Sequence, residues 1–503
     1  MAAELFRLIL NADAEFDEAR FYYGILLHET GQSDAGVELM QQTCAHNTTN
    51  AHYHMRLGMV FDERHDGPRS LTSFRAAHAI EPTAGSWYNM GVSLLNLNML
   101  EEAEECFRKA VKLYPPNQIT SALNNLASVL YKQGKVVEAL VNYKAAHELT
   151  PQDALIHSNY LFISNFVPHP DPMVLFNEHK KFSEKYETSI RKNNHDAEMA
   201  VSVLQRDPNR RLRIGYLSPD FRQHSVAHFI EPVLAAHDKK NFDVFCYYND
   251  TVSDDTTLRI QSLVPNWRVI AELSDHDAAR KVQEDKIDIL VDLAGHTNRN
   301  SLMMFARKPA PVQATWLGYP NTTGFSCMDY RITDALCDPV CMKDALHTEK
   351  LVRMPECFSC FKPPSNAPHV SALPAVSRGT ITFGSFNNFA KITPEVMRVW
   401  IAILARVPGS RLVLKNWCLD NDRMKTFMLE AFARCGATTG QVELWNPNTS
   451  NVDHLNCYNS IDIGLDPFPY NGTTTTCDAL WMGVPVITLA GVSHVGRVGV
   501  SQM

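Results

Sequence analysis

No stretch of this 503-residue chain approaches the roughly 18 unbroken apolar residues that a membrane helix needs, and no membrane partner is expected. The short apolar patch at the start, MAAELFRLILNADAEF, has no basic segment before it, which argues against a secretory leader. Positive charge is not in excess either. Lys and Arg number 47 against 55 Asp and Glu, and a net charge of −8 gives no reason to expect a nucleic-acid partner. G-x-G-x-x-G does not occur, which disfavours a dinucleotide oxidoreductase. The 12 cysteines are scattered and read as reduced thiols of a cytosolic or nuclear protein. Two close pairs, Cys337/Cys341 and Cys357/Cys360, have no histidine beside them, and no metal or other cofactor is expected.

The N-terminal part has self-similarity at a period of about 34 residues. Small residues recur at Gly24, Gly58, Gly91 and Ala127, and twelve positions later at Gly36, Ser70, Ala103 and Ala139. Phe74, Phe107 and Tyr143 precede Ala77, Ala110 and Ala146 by three, and Pro82, Pro115 and Pro151 close the last three units. Small residues let paired helices approach closely, and the aromatics are expected to fill the seams between repeats. This is a tetratricopeptide pattern, an α-solenoid over residues 1–166, with residues 156–166 reading as the first helix of a fifth unit. Asn89, Asn125 and Asn159 fall at matching places. They are candidates for gripping an extended protein substrate on the concave face, or for hydrogen bonds between helices. Homo-oligomerisation through the repeats is a further expectation.

Residues 167–210 read as a linker or docking segment, with a helix over 173–191 and then a polar stretch. Beyond it, apolar runs at 211–221, 242–248, 287–295 and 312–320 alternate with helical segments, the pattern of a parallel α/β sheet. A Pro/Ser-rich stretch near 355–378 reads as a seam, and a second α/β series follows with runs at 381–386, 410–416, 442–445, 461–465 and 486–489. The fold class is thus a helical solenoid followed by two Rossmann-like halves, 211–375 and 376–503, the arrangement of GT-B glycosyltransferases.

Residues 461–491, IDIGLDPFPYNGTTTTCDALWMGVPVITLAG, carry the chemistry. An apolar strand ends at a Pro/Gly turn, four threonines follow, and a helix is expected from Cys477. Free N–H groups and partial positive charge at a helix start suit a diphosphate. The hydroxyls of Thr473 to Thr476 can add donors, and Asp478 can accept from a ribose. Ordinary capping is the rival reading. Lys391, after the strand 381–386, is placed to neutralise charge on a leaving group, and Lys415 is a weaker candidate of the same kind. His224, after the first strand of its half, is a candidate contact for substrate or phosphate. Its partner His228, four residues on, completes a spacing that can bind metal but has no third ligand. His454 is a candidate neighbour of the base or ribose.

PAPVQATWLGYPNTTG (309–324), MDYRITD (328–334), FGSFNNFAKITP (383–394) and LDPFPYNGTTTTCDALWMGVPVITLAG (465–491) resemble the O-GlcNAc transferase/SPINDLY family. The resemblance implies an inverting, metal-independent transfer from a nucleotide sugar to Ser or Thr of intracellular proteins. By the same resemblance Lys391 contacts the donor diphosphate and supports leaving-group departure. Thr474 and Thr475 hold the phosphates, and Asp478 binds the ribose. His224 matches an active-site histidine, His454 one that lies against the base, and Asn388 a glutamine of animal members near the diphosphate. Animal members carry Lys, Arg and His where this chain has Asn451, Cys457 and Thr473. The expected donor is UDP-GlcNAc, with GDP-fucose, as in the plant SPINDLY proteins that this wording resembles, as the alternative. The family continues beyond the segment that ends at Met503, so a truncated chain is expected, and a tetratricopeptide adaptor is the non-catalytic alternative.

Overall fold

The structure, a computed structural model, describes residues 2–167, 171–192, 210–341, 343–446 and 450–503. It divides into a unit ending at Pro151 and a second from Gln152 to Met503. The polar stretch 193–199 lies outside the described residues.

The first unit begins with α1 (Ala2–Ala12) and continues as four antiparallel helix pairs: α2 (Asp17–Glu29) with α3 (Ser33–His46), α4 (Ala51–Glu63) with α5 (Gly67–Ile80), α6 (Ala84–Asn96) with α7 (Leu100–Leu113), and α8 (Thr120–Lys132) with α9 (Val136–Leu149). Local chemistry sets the starts. Asn50 caps α4, Asp66 caps α5, and Thr83 with Ser86 forms a capping box on α6. Pro82, Pro115 and Pro151 fall just past helix ends, where a proline cannot continue the ladder.

Two of the repeating aromatics, Phe74 and Phe107, pack inside their own helix pairs. A Cβ on Gly58 would stand 2.6 Å from the Phe74 ring, and one on Gly91 would stand 2.8 Å from that of Phe107. Each ring therefore lies on the small residue of its own helix pair, and the glycine is what admits it.

The second unit opens with α10 (Ala154–Ser164), the helix that periodicity reads as a fifth repeat, and α11 (Pro172–Lys192). Their apolar faces, including Leu161, Leu175, Phe182 and Tyr186, pack into one core with Leu217, Tyr247, Leu290 and Phe305. Gly324, at φ +79°, admits the backbone of α11: a Cβ there would lie 2.2 Å from the His179 carbonyl oxygen.

A parallel sheet of seven strands follows, in the order β3-β2-β1-β4-β5-β6-β7. Its members are β1 (Leu212–Ser218), β2 (Phe242–Tyr248), β3 (Asn266–Val269), β4 (Ile289–Asp292), β5 (Val312–Thr315), β6 (Tyr330–Asp334) and β7 (Lys350–Met354). A second parallel sheet has the order β10-β9-β8-β11-β12. It comprises β8 (Thr382–Ser385), β9 (Arg411–Lys415), β10 (Val442–Trp445), β11 (Ile463–Leu465) and β12 (Val486–Ile487). The segment after β12 returns to the first sheet. His494 Nδ1 lies 2.7 Å from Asp338 Oδ2, Ser501 Oγ donates to Asp334 Oδ2 at 2.5 Å, and Lys343 donates to the Val492 carbonyl.

Candidate active site

In open α/β sheets the strands' carboxyl ends form the ligand crevice, and the candidate residues of the second sheet cluster there. The helix after β11 runs Thr474–Trp481, earlier than expected, with Thr473 at its N-cap. Three of the four threonines thus lie inside its first turn. They are not equivalent. Thr475 Oγ1 donates to Asn387 Oδ1 at 2.9 Å and Thr476 is buried, while the Thr473 hydroxyl makes no capping bond.

Lys391 ends a short 3-10 turn, Phe389–Lys391, that Asn388 caps by accepting from the Ala390 N–H at 3.0 Å. Its ammonium donates to the Asn471 carbonyl at 2.8 Å and lies 4.2 Å from the centroid of the Tyr470 ring. Burial lowers its pKa to about 8, against the opposing pull of Asp466. Asp466, at the end of β11, accepts from the Gly472 N–H at 2.6 Å and from Thr488 Oγ1 at 2.7 Å. Burial raises its pKa to about 6 in spite of those bonds.

A second group adjoins this one through Asp478, on the same helix as the threonines. The buried Lys415 ammonium donates to His454 Nδ1 at 2.5 Å. That bond places the ring proton of neutral His454 on Nε2, which lies 3.5 Å from Asp478 Oδ2. Phe386 and Tyr458 pack on the His454 ring at 6.1 and 5.7 Å between centroids, and Tyr458 donates to the Thr475 carbonyl at 3.2 Å. Lys415 is thus bonded to His454 in this structure.

His224 stands apart from Lys391. It is the N-cap of the helix Ser225–Ala236, accepting the Val226 N–H on Nδ1 at 3.3 Å, and His228 lies in the first turn of that helix. Both line a cavity of about 370 Å³ with Asn451, Arg259 and Lys362, a cavity whose lining does not include Lys391 or the threonines. Burial lowers the pKa of each histidine, while Asp220 opposes this for His224 and Asp478 for His228. The lining draws on both halves, and Gln223 Nε2 donates to Asn451 Oδ1 at 3.4 Å across them.

The amide candidates separate. Asn89 Nδ2 contacts Met55 Sδ at 3.1 Å, and Asn125 Nδ2 donates to the Tyr88 hydroxyl at 3.1 Å, a bond between successive repeats. Asn159 lies on α10, in the second unit.

Sequence reasoning missed Asn387, Asp466 and Tyr470, and weighed His228 only as a metal ligand. The Asn387–Asn388 doublet after a strand was the one available signal. Tyr470 and Asp466 acquire their meaning from Lys391, distant in the chain. The motif 309–324, by contrast, is structural where its threonines are concerned: Thr322 Oγ1 and Thr323 N–H donate to the buried Glu349 carboxylate at 2.6 and 2.7 Å.

Comparison with known proteins fits this geometry. The glycosyl transferase family 41 model matches residues 187–377 and 370–503, and tetratricopeptide repeat models match 84–117 and 119–150. Over 304 residues the chain is 47% identical to the probable UDP-N-acetylglucosamine–peptide N-acetylglucosaminyltransferase SPINDLY of Arabidopsis thaliana, covering 59% of this chain and 33% of that protein. Over 292 residues it is 33% identical to the corresponding probable enzyme SEC of the same plant, covering 56% and 29%. The matched part thus spans about a third of the length of these curated relatives. Among solved structures it is similar to a lysine-to-methionine mutant of the Thermobaculum terrenum O-GlcNAc transferase, at 33% identity and TM-score 0.81, covering 90% of this chain and 84% of that one.

Proposed function

Since the chain belongs to glycosyl transferase family 41, we propose that it transfers a sugar from a nucleotide sugar to Ser or Thr hydroxyls of proteins, with UDP-GlcNAc as donor. The observation that carries this reading is the convergence of the Lys391 ammonium and the start of the helix Thr474–Trp481 on one strand-end crevice. A diphosphate seated there would meet the first-turn N–H groups, the Thr473 and Thr474 side chains and Lys391. Charge that develops on the departing nucleotide is stabilised by donors already in place. The His454–Asp478 pair, held by Lys415, is suited to the nucleoside, with the His454 ring against the base and the Asp478 carboxylate accepting from the ribose. Asn388, at the cap beside Lys391, is suited to a contact with the diphosphate. His224, with its proton on Nε2, is suited to donate to an oxygen of donor or acceptor. No step calls on a metal.

Protein substrates are expected along the repeats, with Asn89 and Asn125 on the contacting face. All 12 cysteines are free thiols, which supports a reducing compartment, cytoplasm or nucleus. No helix among the described residues is long and apolar enough to cross a membrane. Asn451 and Cys457, in place of the basic residues of animal members, favour a second reading in which the donor is GDP-fucose. Intact-mass measurement of a Ser/Thr peptide offered both donors decides the sugar. A gain of one N-acetylhexosamine supports the first reading and a gain of one deoxyhexose the second. No gain from either, together with no thermal stabilisation by UDP or GDP, would leave the adaptor reading.

A further inference from the structure

The surroundings of Lys391 are unusual for a buried cation. Asp466, the carboxylate acting on it, has its oxygens engaged by Gly472 and Thr488 and forms no ion pair with it among the described residues. In direct contact with the ammonium are the Asn471 carbonyl and the face of Tyr470, 4.2 Å from ring centroid to nitrogen. The Tyr470 ring is in turn packed on Phe166, with centroids 4.5 Å apart and planes inclined by 33°. Phe166 is 2% exposed and follows α10, where Phe162 packs on it at 5.3 Å. A cation over an aromatic face is attracted by the ring quadrupole, and the attraction grows when water is excluded.

We propose that Tyr470, braced by Phe166, is a positioning residue for Lys391: its ring holds the ammonium charged and aimed at the strand-end crevice. This rests on the reading of that crevice as the diphosphate site. Tyr470 forms no bond to substrate. It acts by offsetting part of the desolvation that burial imposes on the lysine, and by blocking the side-chain positions that lead away from the helix start. Phe166 keeps the ring from turning away. The ionisable groups facing Lys391 are Asp466, from the end of β11, and the Tyr470 hydroxyl, whose pKa burial raises, so it stays neutral through the working range.

The test reads the lysine directly. In protein labelled with ¹³C at the lysine ε-carbon, the Lys391 signal is identified by its loss in Lys391→Met, and its titration is followed without nucleotide. Tyr470→Leu is expected to lower the midpoint by about half to one pH unit. Tyr470→Phe should leave it within a few tenths of a unit, and Phe166→Ala should shift it downward by less than Tyr470→Leu does. If Tyr470→Leu does not fold, fluorinated phenylalanines at position 470 weaken the ring face at nearly constant shape, and the midpoint should fall stepwise with fluorine count. An unchanged midpoint in Tyr470→Leu, or in the fluorinated series where that is used, overturns the proposal, as does an equal fall in Tyr470→Phe. Loss of transfer with every donor would instead overturn the functional reading, because the titration needs no donor. With donor and peptide, the kcat of Tyr470→Leu should fall by more than its KM rises, and Tyr470→Phe should restore it.

Discussion

His494 Nδ1 and Asp338 Oδ2 meet at 2.7 Å across the seam between the two sheets, with side chains only 4% and 0% exposed. The partner holds the Asp338 carboxyl well below the usual carboxylate range even though burial pushes it up. Removing one member of such a pair leaves an uncompensated charge. His494→Ala is expected to cost about 3–5 kcal/mol in urea unfolding. The double change with Asp338→Asn should recover a large part of that. If the two single changes add instead, the ion pair is not what holds the seam.

A second prediction concerns acid. His179 donates from Nδ1 to the Leu175 carbonyl at 2.7 Å and accepts the Tyr319 hydroxyl on Nε2 at 2.7 Å. Burial lowers its pKa to about 4, against 6.5 for an ordinary histidine. Between those values the unfolded chain holds the extra proton, so stability is full above pH 6.5 and is lost as pH falls toward 4. The loss from this residue is on the order of 3 kcal/mol. His296, bonded to Ser158 and the Thr323 carbonyl and also pushed down by burial, acts in the same direction. Unfolding free energy measured between pH 7 and 4 should fall with this slope, and His179→Gln should flatten it.

Lys391→Met should reduce transfer by at least about a hundredfold, the scale for removing one preorganised donor from a developing charge. Its thermal midpoint at pH 7 should not drop by more than about 2 °C, because the substitution removes a buried charge. Wild-type affinity for UDP or GDP should decline above pH 8, where the ammonium is lost, by up to about tenfold per unit. That limb should vanish in the variant. Activity within a few-fold of wild type would refute the assigned role.

His454 offers a spectroscopic check. Its Nδ1 accepts from Lys415, so the neutral ring should show one tautomer, protonated at Nε2, in ¹⁵N spectra. Lys415→Met should give a mixture of tautomers and weaken binding of a nucleoside diphosphate by about three- to tenfold, the scale of one charged hydrogen bond. An unchanged tautomer would show that Lys415 does not orient the ring.

In the repeats, Gly58→Ala sets two effects against each other. Helix propensity favours alanine by about 1 kcal/mol, whereas overpacking in a tight core costs about 1–3 kcal/mol. With a Cβ 2.6 Å from the Phe74 ring, the clash should win, and the variant should be less stable by about 1 kcal/mol or more. Phe74→Leu in the same chain should relieve part of the loss.

The order of strand, turn and helix at 461–491 was legible because every part of it is contiguous. So were the small-residue positions of the repeats, which recur in step. Three strands were not. β3 and β7 lie at the edges of their sheet with mostly half-buried or exposed residues, and β6 carries a buried arginine, so none presents an unbroken apolar run. The helix start at Thr474 rather than Cys477 was not legible because β-branched residues are poor helix formers, yet Thr475 gains a tertiary partner in Asn387 that overrides propensity. Tyr470 could not be read at all, since no local pattern tells a ring under a lysine from a ring in a core.

α10 repeats the period of the helices before it but is packed onto the α/β unit behind it. Asn165 donates to the Tyr319 hydroxyl at 2.9 Å and accepts from Asn321 at 2.9 Å, and Phe166 lies against Tyr470. The shortest self-contained α/β unit is therefore not the stretch that starts at the first strand. A fragment beginning at Leu212 would leave Tyr319 and Tyr470 facing water, whereas one beginning at Gln152 keeps both covered.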